Sequence, residues 1–156
     1  MTETTRIADQ LRRSYRGIAW HGPSLKEALD GVTPELAEHR AAPGLHTIWE
    51  LVVHVANWAD AARRFVVENH YVSLSGTDDW PPPSGSWPAA LEKLASAQRE
   101  LWTHVKTLPD ERLNDIISAE KNYSVYILLH GVVQHNLYHA GQISLLKKMV
   151  NECISP

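Results

Sequence analysis

The chain has 156 residues, 18 acidic against 15 basic side chains, a net charge of −3 and a pI near 6.3. No basic run exceeds two residues, which argues against a nucleic-acid-binding surface, and the nearest approach to a membrane span, Val125 to Val133, is too short. The expectation is one compact domain over residues 1–156, long enough to bury a core of its own.

Early charges at Glu3 and Asp9 leave no apolar signal core, and Cys153, the single cysteine, has no internal partner for a disulfide. A reducing compartment fits that usage, so the chain reads as a soluble cytoplasmic protein and Cys153 as an ordinary thiol rather than a catalyst.

Helical signals follow one another along the chain and no alternating strand pattern stands out. Ile7, Leu11 and Tyr15 share one side of a first helix expected from about Thr5 to Tyr15. His21-Gly22-Pro23 breaks it. Ser24 and Glu27 have capping-box spacing and open a second piece, and Thr33-Pro34 opens a third that ends by Pro43-Gly44. A second capping box, Thr47 with Glu50, starts a long helix expected to reach about His70. The segment Ser73 to Pro88 carries Pro81, Pro82, Pro83 and Pro88 beside Trp80 and Trp87, and reads as an ordered loop crossing the bundle. Another long helix is expected over Ala89 to Leu108, stopped by Pro109. After a polar connection from Asn114 to Asn122, the last helix should run from about Ser124 to Val150. Four substantial helices in a chain of this length point to an all-α, four-helix bundle.

Chemistry concentrates in the second and last long helices. Nine histidines make some i, i+4 pair a common accident, so the spacing of His135 and His139 decides little by itself. Their setting decides more. At about 100° per residue, Leu128, Val132, His135, His139, Gln142 and Leu146 fall on one stripe, and Thr47, Leu51, His54, Trp58, Ala61 and Phe65 fall on another. Both stripes face inward, so His54, His135 and His139 form a candidate ligand set for a divalent transition metal. Imidazole suits zinc, nickel, copper and iron, and three protein ligands leave coordination positions open. Such binding needs neutral imidazole, so proton competition is expected below about pH 6.

Several neighbours have two readings. Glu50, one turn before His54, would either orient that ring or serve only its capping box. Gln142 would either touch a bound water or fill a helix interface. Trp58 reads as core before substrate wall, His130 as structural and turned away from the pair, His21 as a solvent-exposed loop residue before a pocket-mouth one beside Trp20, and Asp78 and Asp79 as solvated loop charges.

Four stretches carry a resemblance: Trp20-His21-Gly22-Pro23-Ser24-Leu25; His46-Thr47-Ile48-Trp49-Glu50-Leu51 with His54 and Trp58; Asp79-Trp80-Pro81; and Gly131 to Gln142, GVVQHNLYHAGQ. In that order they resemble the DinB family of damage-inducible bacterial proteins. The resemblance implies a four-helix bundle, often a homodimer, in which one histidine of the second long helix and the HxxxH pair of the last hold a divalent ion. Those positions are His54, His135 and His139, and nickel or zinc is the implied metal. Related families include bacillithiol S-transferases and a mycothiol-dependent isomerase. The leading expectation is therefore a metal-dependent enzyme acting on a small molecule, a low-molecular-weight thiol S-transferase. The alternatives are a hydrolase using metal-activated water and a non-catalytic dimeric stress-response module. No general base is assigned.

Overall fold

The computed structural model describes residues 1–69, 73–118 and 122–154, with side chains through 150. Its helices are α1 (Glu3–Tyr15), α2 (Leu25–Leu29), α3 (Pro34–Glu38), α4 (Ile48–Glu68), α5 (Trp87–Thr107) and α6 (Val125–Ile154). The four long ones form the bundle in the cyclic order α1, α5, α4, α6, each packed against two neighbours. The fold is all-α, a four-helix bundle with two short helices laid against it. α2 rests on α6, where Lys147 donates to the Ala28 and Asp30 carbonyls at the end of α2.

Local sequence sets the helix starts. Ser24 and Thr47 each accept from the backbone of the glutamate three residues on, while Glu27 and Glu50 accept in return from the cap backbone, so both capping boxes are closed. Thr33 caps α3, with Pro34 opening the helix where its missing N–H costs nothing. α4 stops at Asn69, which takes the left-handed conformation that asparagine tolerates (φ 51°) and whose N–H reaches the Phe65 carbonyl at 2.9 Å. His70, the expected end of this helix, lies outside the described residues.

Two elements differ from expectation. α5 begins at Trp87, inside the proline-rich segment expected to be loop throughout. Ser86 caps it, and Pro88 falls within the first turn, where proline is compatible with a helix. The connection before α6 contains a minimal antiparallel hairpin, β1 (Ile116–Ser118) with β2 (Tyr123–Ser124). Strands of three and two residues are too short to show an alternating pattern.

The core divides along the bundle. One cluster gathers Leu25, Leu51, Val52, Leu94 and Ile143, and the other gathers Ile7, Leu11, Phe65, Leu101 and Leu129. Between them, at residue 98 of α5 and 136 of α6, the interior turns polar. No helix among the described residues is long and apolar enough to cross a membrane.

Replacing Thr47 by Ala opens the α4 capping box and leaves the Glu50 N–H without its cap. The expected loss is about 1 kcal/mol in urea denaturation, with helix content unchanged by circular dichroism.

Candidate metal centre

The i, i+4 spacing on α6 puts the His135 and His139 rings edge to face, with centroids 4.4 Å apart. α4 brings His54 against both, at 4.9 Å from each ring. The Nε2 atoms converge: His54 to His135 at 2.9 Å and His139 to His135 at 3.0 Å. Burial is nearly complete for His54 (5 % exposed) and His139 (4 %).

Each outer ring is held from behind. His54 Nδ1 lies 2.8 Å from the Asp79 carbonyl oxygen and 3.1 Å from the Asp79 carboxylate. Both are acceptors, so Nδ1 carries the proton and Nε2 presents its lone pair inward. His139 Nδ1 donates likewise to Gln142 Oε1 at 2.6 Å, which turns the His139 Nε2 lone pair inward as well. Two inward lone pairs then face the His135 Nε2, which can offer one proton at most. The cluster therefore has more acceptor capacity than protons, and that deficit is what a cation fills. The 2.9 and 3.0 Å spacings fit too, since one ion about 2.0–2.1 Å from each nitrogen needs N···N separations of roughly 2.9–3.4 Å. The three histidines are thus a group that could hold a divalent metal.

Aromatic side chains wall the cluster. The Trp80 indole lies flat on the His54 ring, with centroids 3.8 Å apart and planes 9° apart, and His46 stacks on Trp80 at 3.6 Å. The 73–86 loop therefore packs directly on the site. Trp58 stands edge-on to His54 and His135 and donates its indole N–H to Asp79 Oδ1 at 2.6 Å, so the loop is pinned to α4. Asn57 adds a second tie by donating to the Asp78 carbonyl.

These contacts reassign several residues. Glu50 does not orient His54, because its carboxylate is taken up by the Thr47 N–H, Arg40 and His46. Asp79 does so instead, and it is not a solvated loop charge. Loop residues have no helical register, so nothing in the sequence pattern placed Asp79 behind a histidine 25 positions away. Gln142 contacts the Nδ1 of His139. Trp58 is half-buried and contributes both wall and hydrogen bond. His130 is turned from the cluster and packs on Tyr126 at 4.3 Å, with no hydrogen-bond partner for its buried Nε2 among the described residues. His21 is exposed and lines a surface cleft of about 370 Å³ with Trp20 and Leu137, remote from the histidine face of α6. The Cys153 side chain lies outside the described residues.

The chain matches a family model across residues 18–143, most of its length. It belongs to the DinB superfamily. A crystal structure of a conserved protein from Enterococcus faecalis has the same fold, with a TM-score of 0.73 over 97 % of this chain and 99 % of that one. At 17 % identity that likeness concerns the fold alone. No curated protein sequence matches the chain.

Burial keeps the three rings neutral. It lowers His135 to about 3, with the neighbouring histidines adding to the effect, and His139 to about 4 against an opposing pull from Gln142. His54 is also lowered by burial, partly offset by Asp79. Proton competition at these rings therefore sets in well below the pH 6 expected for ordinary imidazoles. In the unfolded chain they protonate near 6.5. Their contribution to stability is thus complete above about pH 6.5 and is lost as pH falls toward 4, since the unfolded state binds more protons in that window. Chelator-treated protein should lose on the order of 2 kcal/mol for each of His135 and His139 between pH 7 and pH 5. Urea denaturation of the wild type against His135→Phe checks this, the variant showing the smaller pH dependence.

Proposed function

We propose that His54, His135 and His139 hold one divalent transition-metal ion, nickel or zinc, and that the protein is a metal-dependent, low-molecular-weight thiol S-transferase. The observation that carries the metal reading is the convergence of three Nε2 atoms, two of them turned inward by acceptors on Nδ1. An ion in this all-imidazole setting keeps its full charge and lowers the pKa of a thiol or water that binds it.

The chain's own residues complete the setting. Asp79 and Gln142 fix ring orientation and tautomer, as outer partners of metal-bound histidines do. Trp80 and Trp58 exclude water from two sides and place apolar walls beside the cluster, which strengthens electrostatic attraction to an anionic sulfur. Hydrolysis would call for a base close to the attacking water. The Asp79 carboxylate is taken up by His54 and Trp58, and the Trp80 indole stands between His46 and His54. That screening favours thiol transfer over hydrolysis.

Protein purified without an affinity tag and reconstituted with nickel or zinc should contain about one ion per chain. His135→Ala or His139→Ala should abolish stoichiometric binding. Elemental analysis reads both, and a metal-free wild type after reconstitution overturns the metal reading.

Cobalt-substituted protein tests the thiol. Titration with bacillithiol, mycothiol, glutathione and cysteine should give a near-ultraviolet sulfur-to-cobalt charge-transfer band with at least one of them at neutral pH. If no thiol gives the band and an ester is hydrolysed with metal dependence, the transferase reading gives way to metal-assisted hydrolysis. If neither occurs, a non-catalytic binding module replaces both.

The same reading includes a homodimer, supported by exposed Tyr126, Ile127, Tyr138 and Leu145 along α6. Light scattering at micromolar concentration should give twice the chain mass, and a monomer would exclude it.

A further inference from the structure

We propose that the buried amide pair of Gln98 and Asn136, together with Ser14, is a register lock that positions His135 and His139 for the ion. The inference rests on the metal reading above.

α6 needs such a device because its apolar residues do not define one buried face. Val125, Leu129, Ile143 and Val150 are buried, yet Tyr126, Ile127, Tyr138 and Leu145 stand exposed on the same helix. A helix with apolar side chains on most faces can turn or slide without a large change in apolar burial. The metal site has no such tolerance. Sliding by one residue moves a helix by 1.5 Å and turns it by about 100°, which would carry both imidazoles away from His54.

Asn136 follows His135 directly, about 100° further round the helix, and points into the junction of α1, α5 and α6. It is 0 % exposed, with Gln98 at 1 % and Ser14 at 2 %. The two amides exchange hydrogen bonds: Gln98 Nε2 donates to Asn136 Oδ1, and Asn136 Nδ2 donates to Gln98 Oε1, both at 3.0 Å. Asn136 Nδ2 also donates to Ser14 Oγ at 3.0 Å, and Ser14 Oγ donates to the Leu11 carbonyl at 2.9 Å. Apolar clusters lie above and below this layer. Any other setting of α6 would leave the Asn136 and Gln98 amides facing aliphatic side chains with their hydrogen bonds unmade. A buried amide that selects one helix register is an established use of interior polarity.

The lock also connects the two halves of the site. α5 has its most extensive packing with α4, the helix that carries His54. Gln98 on α5 therefore ties the position of α6 to the frame in which His54 sits. None of the hydrogen bonds of Gln98, Asn136 and Ser14 described above goes to the three histidine rings, so they act as positioning residues.

The test replaces the pair with apolar residues of similar size, Gln98→Leu with Asn136→Leu, which leaves no polar group stranded. The wild type and the double variant are titrated with cobalt(II) well below their unfolding midpoints, and affinity and the visible cobalt spectrum are read alongside circular dichroism. The expected result is a folded double variant that binds cobalt about 10–100-fold more weakly with an altered spectrum. A folded variant with wild-type affinity and spectrum overturns the lock, because a role in stability alone would leave both unchanged. If the double variant does not fold, Ser14→Ala decides: weaker cobalt binding supports the lock and unchanged binding overturns it. A wild type that binds no cobalt overturns the metal reading itself, and the register role falls with it.

Discussion

Three imidazole nitrogens face one another across the α4–α6 interface, and the groups behind them leave at most one proton to share among them. Much of the architecture around the cluster follows from this constraint. Neutral rings can be buried without the cost of buried charge, but each ring nitrogen still needs a partner. The outer nitrogens of His54 and His139 are supplied by Asp79 and Gln142. The inner ones are left in mutual contact, an arrangement that a protein interior otherwise avoids and that a cation would make favourable.

Holding that contact requires order at some distance from it. Asp79 comes from a loop, and loops are the segments most free to move. Here the loop is tied to α4 through Trp58 and Asn57 and pressed onto the cluster by the His46–Trp80–His54 stack. On the adjoining face of α6, the layer of Ser14, Gln98 and Asn136 interrupts the core at the level of His135. The bundle thus has one polar cross-section with two parts, a histidine cluster on one side and an amide network on the other, enclosed by apolar packing at both ends.

Much of this was legible in the residues. Capping boxes at Ser24 and Thr47 and Pro34 after Thr33 mark where helices begin, because the cap chemistry is local and involves side chains three positions apart. The inward direction of His54, His135 and His139 could be read from helical period, since their stripes also carry Leu51, Phe65, Val132 and Leu146. Where local rules compete, legibility fails. Pro88 belongs to the first turn of α5 although its neighbours Pro81 to Pro83 stand outside any helix, and two very short strands leave no periodic trace.

The amino-acid sequence by itself determined the helical class, the order of the long helices and the faces that carry the three histidines, because each depends on spacing within one helix. Tertiary structure alone decided what stands behind those histidines. Asp79 reaches His54 from a loop, Trp80 lies between His46 and His54, and Gln98 meets Asn136 across two helices. Glu50, whose spacing allowed either a partner of His54 or a capping role alone, is drawn off by Arg40, His46 and its own cap. Contacts between segments depend on how the chain packs, and helical periodicity holds no information about the path of a loop or about which buried amide another will meet.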